Sequence, residues 1–298
     1  MEIRVLNYFL AVVRAETITK AAEDLHITQP TLSRQLKQLE DQLGVTLFQR
    51  GSRKIKLTSE GELLYRRGSE IVELANKTHR ELTEQEGALE GVVSIGSGEF
   101  AAAQLLPELL ASFSAKHPLV SYDLYTGTAD TVRQRMDQGL TDIGLLLEPV
   151  NIQNFDYIRL KTQEQWVILM TPDHLLAQKA AISPENLVGI PLIMVSREVI
   201  RDELASWFGD YFPELTINYK SNLSTNAAVM VRHNLGCAIT IAGSLPYLDQ
   251  KELTTRPLTP SLKTTSLLAW KRDQPFSRAT TQFIAHAKSF LSMTADQT

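Results

Sequence analysis

The sequence predicts an N-terminal all-α winged helix-turn-helix carried on a linker helix, followed by a C-terminal α/β domain of two lobes. Three observations predict it. Residues 17–44 hold two consecutive amphipathic helices separated by a short turn, and a basic segment with a Gly51-Ser52 turn follows directly. From Val92 the apolar period changes, and strand-like runs alternate with helical ones to the end of the chain. The expected domains are residues 1–58, a linker helix over 59–90, and 91–298, the last split into a lobe of about 91–161 and 268–298 and a lobe of about 162–267.

The first helix is expected from Ile3, Leu6, Leu10 and Val13, which fall on one face. In the next, Ile18, Ala21, Ala22 and Leu25 repeat that spacing, with Thr17 placed to cap it. Two small alanines allow another helix to cross closely. A third helix has its start signal in Thr28 and in Pro30, whose missing N–H costs nothing in a first turn. Leu32, Leu36, Leu39 and Leu43 form its apolar stripe, and Gly44 ends it. Its other face offers Gln29, Ser33, Arg34 and Lys37, side chains able to donate to base edges or phosphates.

Such a pair of helices also serves as plain scaffold, and the next segment decides between the readings. In VTLFQRGSRKIKLT, Leu47, Phe48, Ile55 and Leu57 are apolar anchors, while Arg50, Arg53, Lys54 and Lys56 sit at or beside a tip. A basic two-stranded wing suits phosphates or a minor groove. The charge is divided accordingly: residues 1–58 hold nine Lys/Arg against six Asp/Glu, a net +3, which leaves −7 of the total −4 to the other 240 residues. A basic head on an acidic body fits nucleic-acid binding confined to one end.

These residues resemble a family. The order AVVRAETITKAAEDLHITQPTLSRQLKQLEDQLGVTLFQR, followed by LTSEG, is similar to the N-terminal signature of LysR-type transcriptional regulators, with its Thr-Gln-Pro-x-x-Ser-Arg-Gln core and Leu-Phe-x-Arg wing entry. The pattern fixes many positions over some sixty residues, and the chain length fits the family from end to end. The resemblance implies that Gln29, Pro30, Ser33 and Arg34 enter a major groove and that Arg50 and Arg53 serve the wing. The expected DNA-contacting set is Thr28, Gln29, Pro30, Thr31, Ser33, Arg34, Lys37, Arg50, Arg53, Lys54 and Lys56. It further implies a homodimer, or a tetramer made as a dimer of dimers, on double-stranded promoter DNA bearing an interrupted palindrome, with an effector changing DNA bend and the recruitment of RNA polymerase.

From Thr58 a long helix is expected, with Leu64, Ile71, Ala75, Thr78 and Leu82 along one side to about residue 86. A single such stripe between charged faces is best covered by a partner's copy, so this is read as a dimerisation helix. The alternative packs it on its own head. Gly87 and Gly91 end it.

In the α/β part, VVSIGS, VSYDLYT and DIGLLL read as strands and AAAQLLPELLASFSAKHP and TADTVRQRMDQG as helices, a β-α-β-α-β order that predicts a parallel sheet. WVILMT, PLIMV, TINYKSN and CAITIAG are further strands, with helices from about Glu198 to Phe208 and Thr225 to Asn234. TTSLLAWK and a helix near Ser277 to Leu291 return the chain. Strands crossing twice, near 160–164 and 262–267, give two lobes about a cleft, resembling periplasmic binding proteins and the LysR effector domain.

Gly96-Ser97-Gly98-Glu99-Phe100-Ala101 matches G-x-G-x-x-A after a strand and before a helix, the dinucleotide fingerprint. A nucleotide site also wants an acidic residue ending the next strand, and there Asp123 falls mid-strand. A nucleotide-sensing repressor or dehydrogenase-like domain on the head is thus the alternative function. The favoured use of the turn is one wall of a ligand cleft, its helix N-terminus offering N–H groups to an anion. With similar turns elsewhere, the expected effector set is Ser97, Gly98, Glu99, Phe100, Thr126, Thr128, Ser196, Arg197, Ser224 and Thr225, although each hydroxyl also serves as a helix cap. Glu99 disfavours a bound anion. Either Arg197 compensates, or the effector is neutral, aromatic or cationic.

Nothing points to catalysis or to a cofactor. The histidines at 26, 79, 117, 174, 233 and 286 lack metal-ligand spacing, and there is no Gly-x-Ser-x-Gly elbow. Trp166, Trp207 and Trp270 are expected in the core, as is the single cysteine, Cys237. One cysteine forms no intrachain disulfide, and the chain shows neither a signal peptide nor an uninterrupted apolar span, so a cytoplasmic protein is expected.

Overall fold

Helix α1 (Ile3–Ala15) is the core of the first unit, Met1–Glu84, because Leu6, Phe9, Leu10 and Val12 are all buried there. The computed structural model describes residues 1–49, 55–83, 88–245, 249 and 251–295. Ile3, expected on the buried face, is 48% exposed, since the first residue of the helix lies a turn beyond the core that Phe9 fills. Helix α2 (Ile18–Asp24) starts as expected, Thr17 accepting the Lys20 N–H, and contributes the buried Ala21 and Ala22. Helix α3 (Gln29–Leu43) buries Leu32, Leu36 and Leu39, whereas Leu43, at its last residue, is 40% exposed. Gly44 closes α3 in the left-handed region at φ 69°. Two wing strands meet at an antiparallel bridge between Phe48 and Leu57, and the Gln49 N–H donates to the Lys56 carbonyl at 2.8 Å.

Helix α4 (Ser59–Thr83) begins where Thr58 accepts the Gly61 N–H at 3.0 Å. The expected single stripe is split between two faces. Leu64 and the buried Val72 pack on the unit's own head, with Gly61 and Gly68 in line. Ile71 faces outward at 42% exposure, beside Leu63 at 52% and Leu74 at 41%. The glycines permit the inward contact: a Cβ at Gly61 would collide with the Leu47 carbonyl oxygen and one at Gly68 with the Leu6 side chain. Gly61→Ala is therefore expected to cost about 1–3 kcal/mol by overpacking against immovable backbone. Urea unfolding measures it, and an unchanged midpoint would mean that α4 stands off the wing strand.

The second unit, Gln85–Thr298, opens with β1 (Glu90–Ser97), a 3-10 turn over Ala101–Gln104, α5 (Leu105–Ser114), β2 (Leu119–Thr126), α6 (Ala129–Asp137) and β3 (Ile143–Leu147). Strand β4 (Phe155–Met170) leads to β5 (Pro191–Val195), α7 (Glu198–Phe208), β6 (Thr216–Ser221), α8 (Ser224–Arg232) and β7 (Cys237–Ile241). Strands β8 (Thr254–Pro257) and β9 (Lys263–Lys271) and helix α9 (Arg278–Ala295) complete it. The order is β2-β1-β3-β9-β4-β7-β5-β6, with β8 on β4.

The sheet is mixed rather than all parallel. Strand β1 pairs with β2 and β3 in parallel, and β5 does so with β6 and β7, but β9 runs antiparallel to both β3 and β4. Strand β4 runs far beyond the expected WVILMT: its first part, Phe155 to Arg159, pairs with β9, the register shifts before Gln163, and Trp166 to Leu169 then pair with β7. Two separate apolar cores lie on either side of this crossover, one around Phe113, Trp270 and Phe283, the other around Trp166, Leu204 and Phe208.

Cys237, first in β7, is 1% exposed, and burial pushes its thiol up to about 11. It is therefore a protonated, inert group at neutral pH. Iodoacetamide should leave it unmodified in the native chain and alkylate it in denaturant, as read by mass spectrometry; rapid native labelling would contradict this burial.

Candidate functional site

On the head, α3 presents Gln29, Pro30, Arg34 and Lys37 exposed, with Thr31 and Ser33 half-buried. Thr28 stands at the N-cap position with extended backbone, but its side chain caps nothing; its hydroxyl meets that of Thr31 at 2.8 Å. The N–H groups of the first turn of α3 therefore lack a side-chain acceptor from Thr28, which keeps them available to a phosphate. Lys56 is exposed on the wing, and Arg50, Arg53 and Lys54 lie outside the described residues. Glu40, not singled out from sequence, accepts the Leu47 N–H at 2.7 Å and so ties α3 to the wing strand. A polar residue near the end of an apolar stripe gave no sign of that partner.

In the second unit a cavity of about 90 Å³ is lined by Gly98, Glu99, Phe100, Thr128, Ser196, Arg197 and Ser224 of the expected set. Ser97, Thr126 and Thr225 do not line it. The Ser97 hydroxyl turns to the Gly98 carbonyl at 3.0 Å, and Thr126 is exposed at the end of β2. Most of the hydroxyls already have local partners. Thr128 caps α6 by accepting the Thr131 N–H, and Ser224 lies 2.6 Å from the Thr240 hydroxyl, itself 3.1 Å from that of Ser244.

The anion seat expected at the Gly96–Ala101 turn is filled by the protein. Glu164 of β4, only 1% exposed, accepts the N–H of Ala101 at 3.1 Å and of Ala102 at 2.9 Å. Burial raises the pKa of its carboxyl, against the lowering effect of these two donors. The helix after the turn also begins as a 3-10 segment, so the fingerprint geometry of a pyrophosphate site is absent from these described residues. The nucleotide-sensing alternative finds no support here.

Glu99 has a comparable role at another helix. Its carboxylate accepts the Thr225 N–H at 3.2 Å and the Thr225 hydroxyl at 2.9 Å, capping α8 from across the cleft. Arg197 is equally committed: it donates to both oxygens of Asp130, at 2.8 and 3.0 Å, and to the Pro149 carbonyl at 2.8 Å. Expected as a counterion for a ligand, it is instead paired at 11% side-chain exposure. Asp130 was missed because it stands 67 residues from its partner, with nothing local to mark it.

The tryptophans differ from one another. Trp270 is buried, and Trp207 donates to the Pro260 carbonyl at 2.7 Å. Trp166 is 2% exposed, but beyond filling core it lines the cavity, and its indole N–H has no acceptor among the described residues. Also among the described residues, no group of His, Cys, Asp and Glu has metal-site geometry, and no helix is long and apolar enough to cross a membrane.

Comparison with known proteins agrees with both units. Residues 3–62 match the sequence model of "Bacterial regulatory helix-turn-helix protein, lysR family", and residues 86–292 match that of "LysR substrate binding domain". Among curated relatives, the Hca operon transcriptional activator HcaR of Escherichia coli (strain K12) is 31% identical over 286 residues, spanning 92% of this chain and 93% of its own. The solved structure of CbnR, a LysR family transcriptional regulator, superposes with a TM-score of 0.74 at 21% identity over 98% of this chain and 99% of that one. Full-length CbnR complexed with its target DNA gives 0.72 at 22% identity, over 97% and 99%. The chain belongs to the LysR family of bacterial transcriptional regulators, with a helix-turn-helix DNA-binding domain and a C-terminal effector-binding domain.

Proposed function

We propose that the exposed first turns of α3 read base edges, with Gln29, Pro30, Ser33 and Arg34 in the major groove and Thr28, Thr31 and Lys37 beside them. Arg50, Arg53, Lys54 and Lys56 of the wing then hold phosphates or a minor groove. The observation that carries this reading is the polar, outward first half of α3 on a helix whose other face is fully buried in Leu32, Leu36 and Leu39. The outward Leu63, Ile71 and Leu74 of α4 support a homodimer through this helix, or a tetramer built from two such dimers. A two-fold dimer would place its recognition helices on half-sites of an interrupted palindrome about one turn, or roughly 34 Å, apart.

The cavity between the lobes of the second unit is the effector site in this reading, formed from Gly98, Glu99, Phe100, Thr128, Ser196, Arg197 and Ser224. The domains take the bounds 1–58, 59–90 and 91–298. A non-enzymatic, cytoplasmic protein that changes promoter DNA and engages RNA polymerase completes the proposal. Selection of bound duplexes from a random pool tests it: an enriched interrupted palindrome is expected, and a pool with no enrichment would overturn base reading. Leu63→Asp with Leu74→Asp should shift the sedimenting species to monomer, and an unchanged oligomer would remove α4 from the interface.

A further inference from the structure

We propose that the cavity selects a small uncharged molecule carrying a hydrogen-bond acceptor and excludes anions, because Glu99 already supplies the carboxylate that caps α8. This rests on reading the cavity as the effector site. The first ground is charge. Of the residues lining the cavity only Glu99 and Arg197 are charged, and Arg197 is neutralised by Asp130 at 2.8 Å. The three groups together carry a net negative charge. An incoming carboxylate must displace Glu99 from the Thr225 N–H and hydroxyl, yet Glu99 is tethered, and once displaced its charge remains beside the ligand.

The second ground is an unmet donor. Trp166, 2% exposed, is one of the residues lining the cavity, and its indole N–H, closed to solvent, has no acceptor among the described residues. A buried N–H without a partner is costly, and a ligand lone pair supplied there is correspondingly favourable. An ammonium ion has no lone pair to offer and leaves the indole unpaired. Phe100, Leu147 and Ile200 give the remainder of the ligand an apolar wall. The cavity, about 90 Å³, limits the ligand to a molecule of a few heavy atoms.

Propionamide, propionate and propylammonium share a three-carbon skeleton and differ in charge, so they isolate the proposal. In a thermal-shift assay on the full chain at millimolar concentration, only propionamide is expected to raise the unfolding midpoint. Glu99→Gln removes the negative charge and keeps an oxygen for Thr225, and should add a response to propionate. Trp166→Phe should lose the response to propionamide. Stabilisation of wild type by propionate, or by none of the three, would overturn the proposal, as would a Glu99→Gln variant still blind to propionate. Footprinting on a selected operator separates the two readings. Propionamide that binds without altering the footprint upholds the charge selection and removes the regulatory role of the cavity; propionate that binds and alters it does the reverse.

Discussion

Arg34→Ala is expected to lower affinity for a selected operator by between about thirty-fold and about twenty-thousand-fold while leaving the unfolding midpoint unchanged. A bidentate contact from an arginine to a base contributes about 1–3 kcal/mol of discrimination, and in a two-fold dimer each substitution counts twice, or roughly 2–6 kcal/mol. Arg34 is exposed on α3, one turn from the helix start and on the face opposite the buried Leu32 and Leu36, so its removal disturbs no packing. Anisotropy titrations on operator and on a scrambled duplex give the decisive comparison. A base-reading arginine loses most on the operator, whereas a phosphate contact loses equally on both and lowers the salt slope by about one per contact. Equal losses would move Arg34 to the backbone class. Lys56, exposed on the wing strand, is expected to show that second behaviour.

The contrast between the two functional regions explains how far the sequence carried. The head was legible because its determinants are local. Thr17 to Lys20, Leu32 to Leu39 and Gly44 all act within one or two turns of their own helix, so spacing alone revealed them. The same held for most of the strand and helix order of the second unit, including α7 at Glu198–Phe208, although the short β8 at Thr254–Pro257, half-buried and without an apolar run, is not marked in the sequence. Where it failed, the cause was a partner distant in the chain. Thr225 meets Glu99 across 126 positions, and Glu164 meets Ala101 across 63. Neither carboxylate carries a local mark of being a helix cap. The crossover expected near 160–164 is part of β4, but Phe155 to Arg159 carries no strand signal, because a crossover strand exposes many of its side chains and so lacks an apolar run. The α5 boundary has a local cause: Pro107 has no N–H for the carbonyl four residues back, so α-helical bonding starts only at Leu105 after the 3-10 turn.

Glu164→Ala is expected to destabilise the second unit markedly. It strands the N–H groups of Ala101 and Ala102, each worth roughly 1–3 kcal/mol when buried without an acceptor. Relief of the carboxylate's own desolvation offsets part of this, which leaves a net loss of about 2–4 kcal/mol. Because the same turn carries Glu99 and Phe100 into the cavity, the loss should also abolish the thermal response to propionamide. The milder Glu164→Gln keeps one acceptor, sets an amide NH2 against the other N–H at a pH-independent cost, and removes the titration, so the pH dependence of the difference reports the carboxyl's proton. Burial raises the folded-state pKa of Glu164 above its ordinary 4.5, so folding favours the protonated form. Below pH 4.5 the group is protonated both folded and unfolded and contributes no slope. As pH climbs from there through the folded-state value, wild type must lose stability relative to Glu164→Gln, and above that value the difference is constant. Urea unfolding of both proteins from pH 4 to 8 measures this difference. A wild type that gains on the glutamine variant as pH rises would mean that the donors at Ala101 and Ala102 outweigh burial, and that the carboxylate is held ionised at the turn.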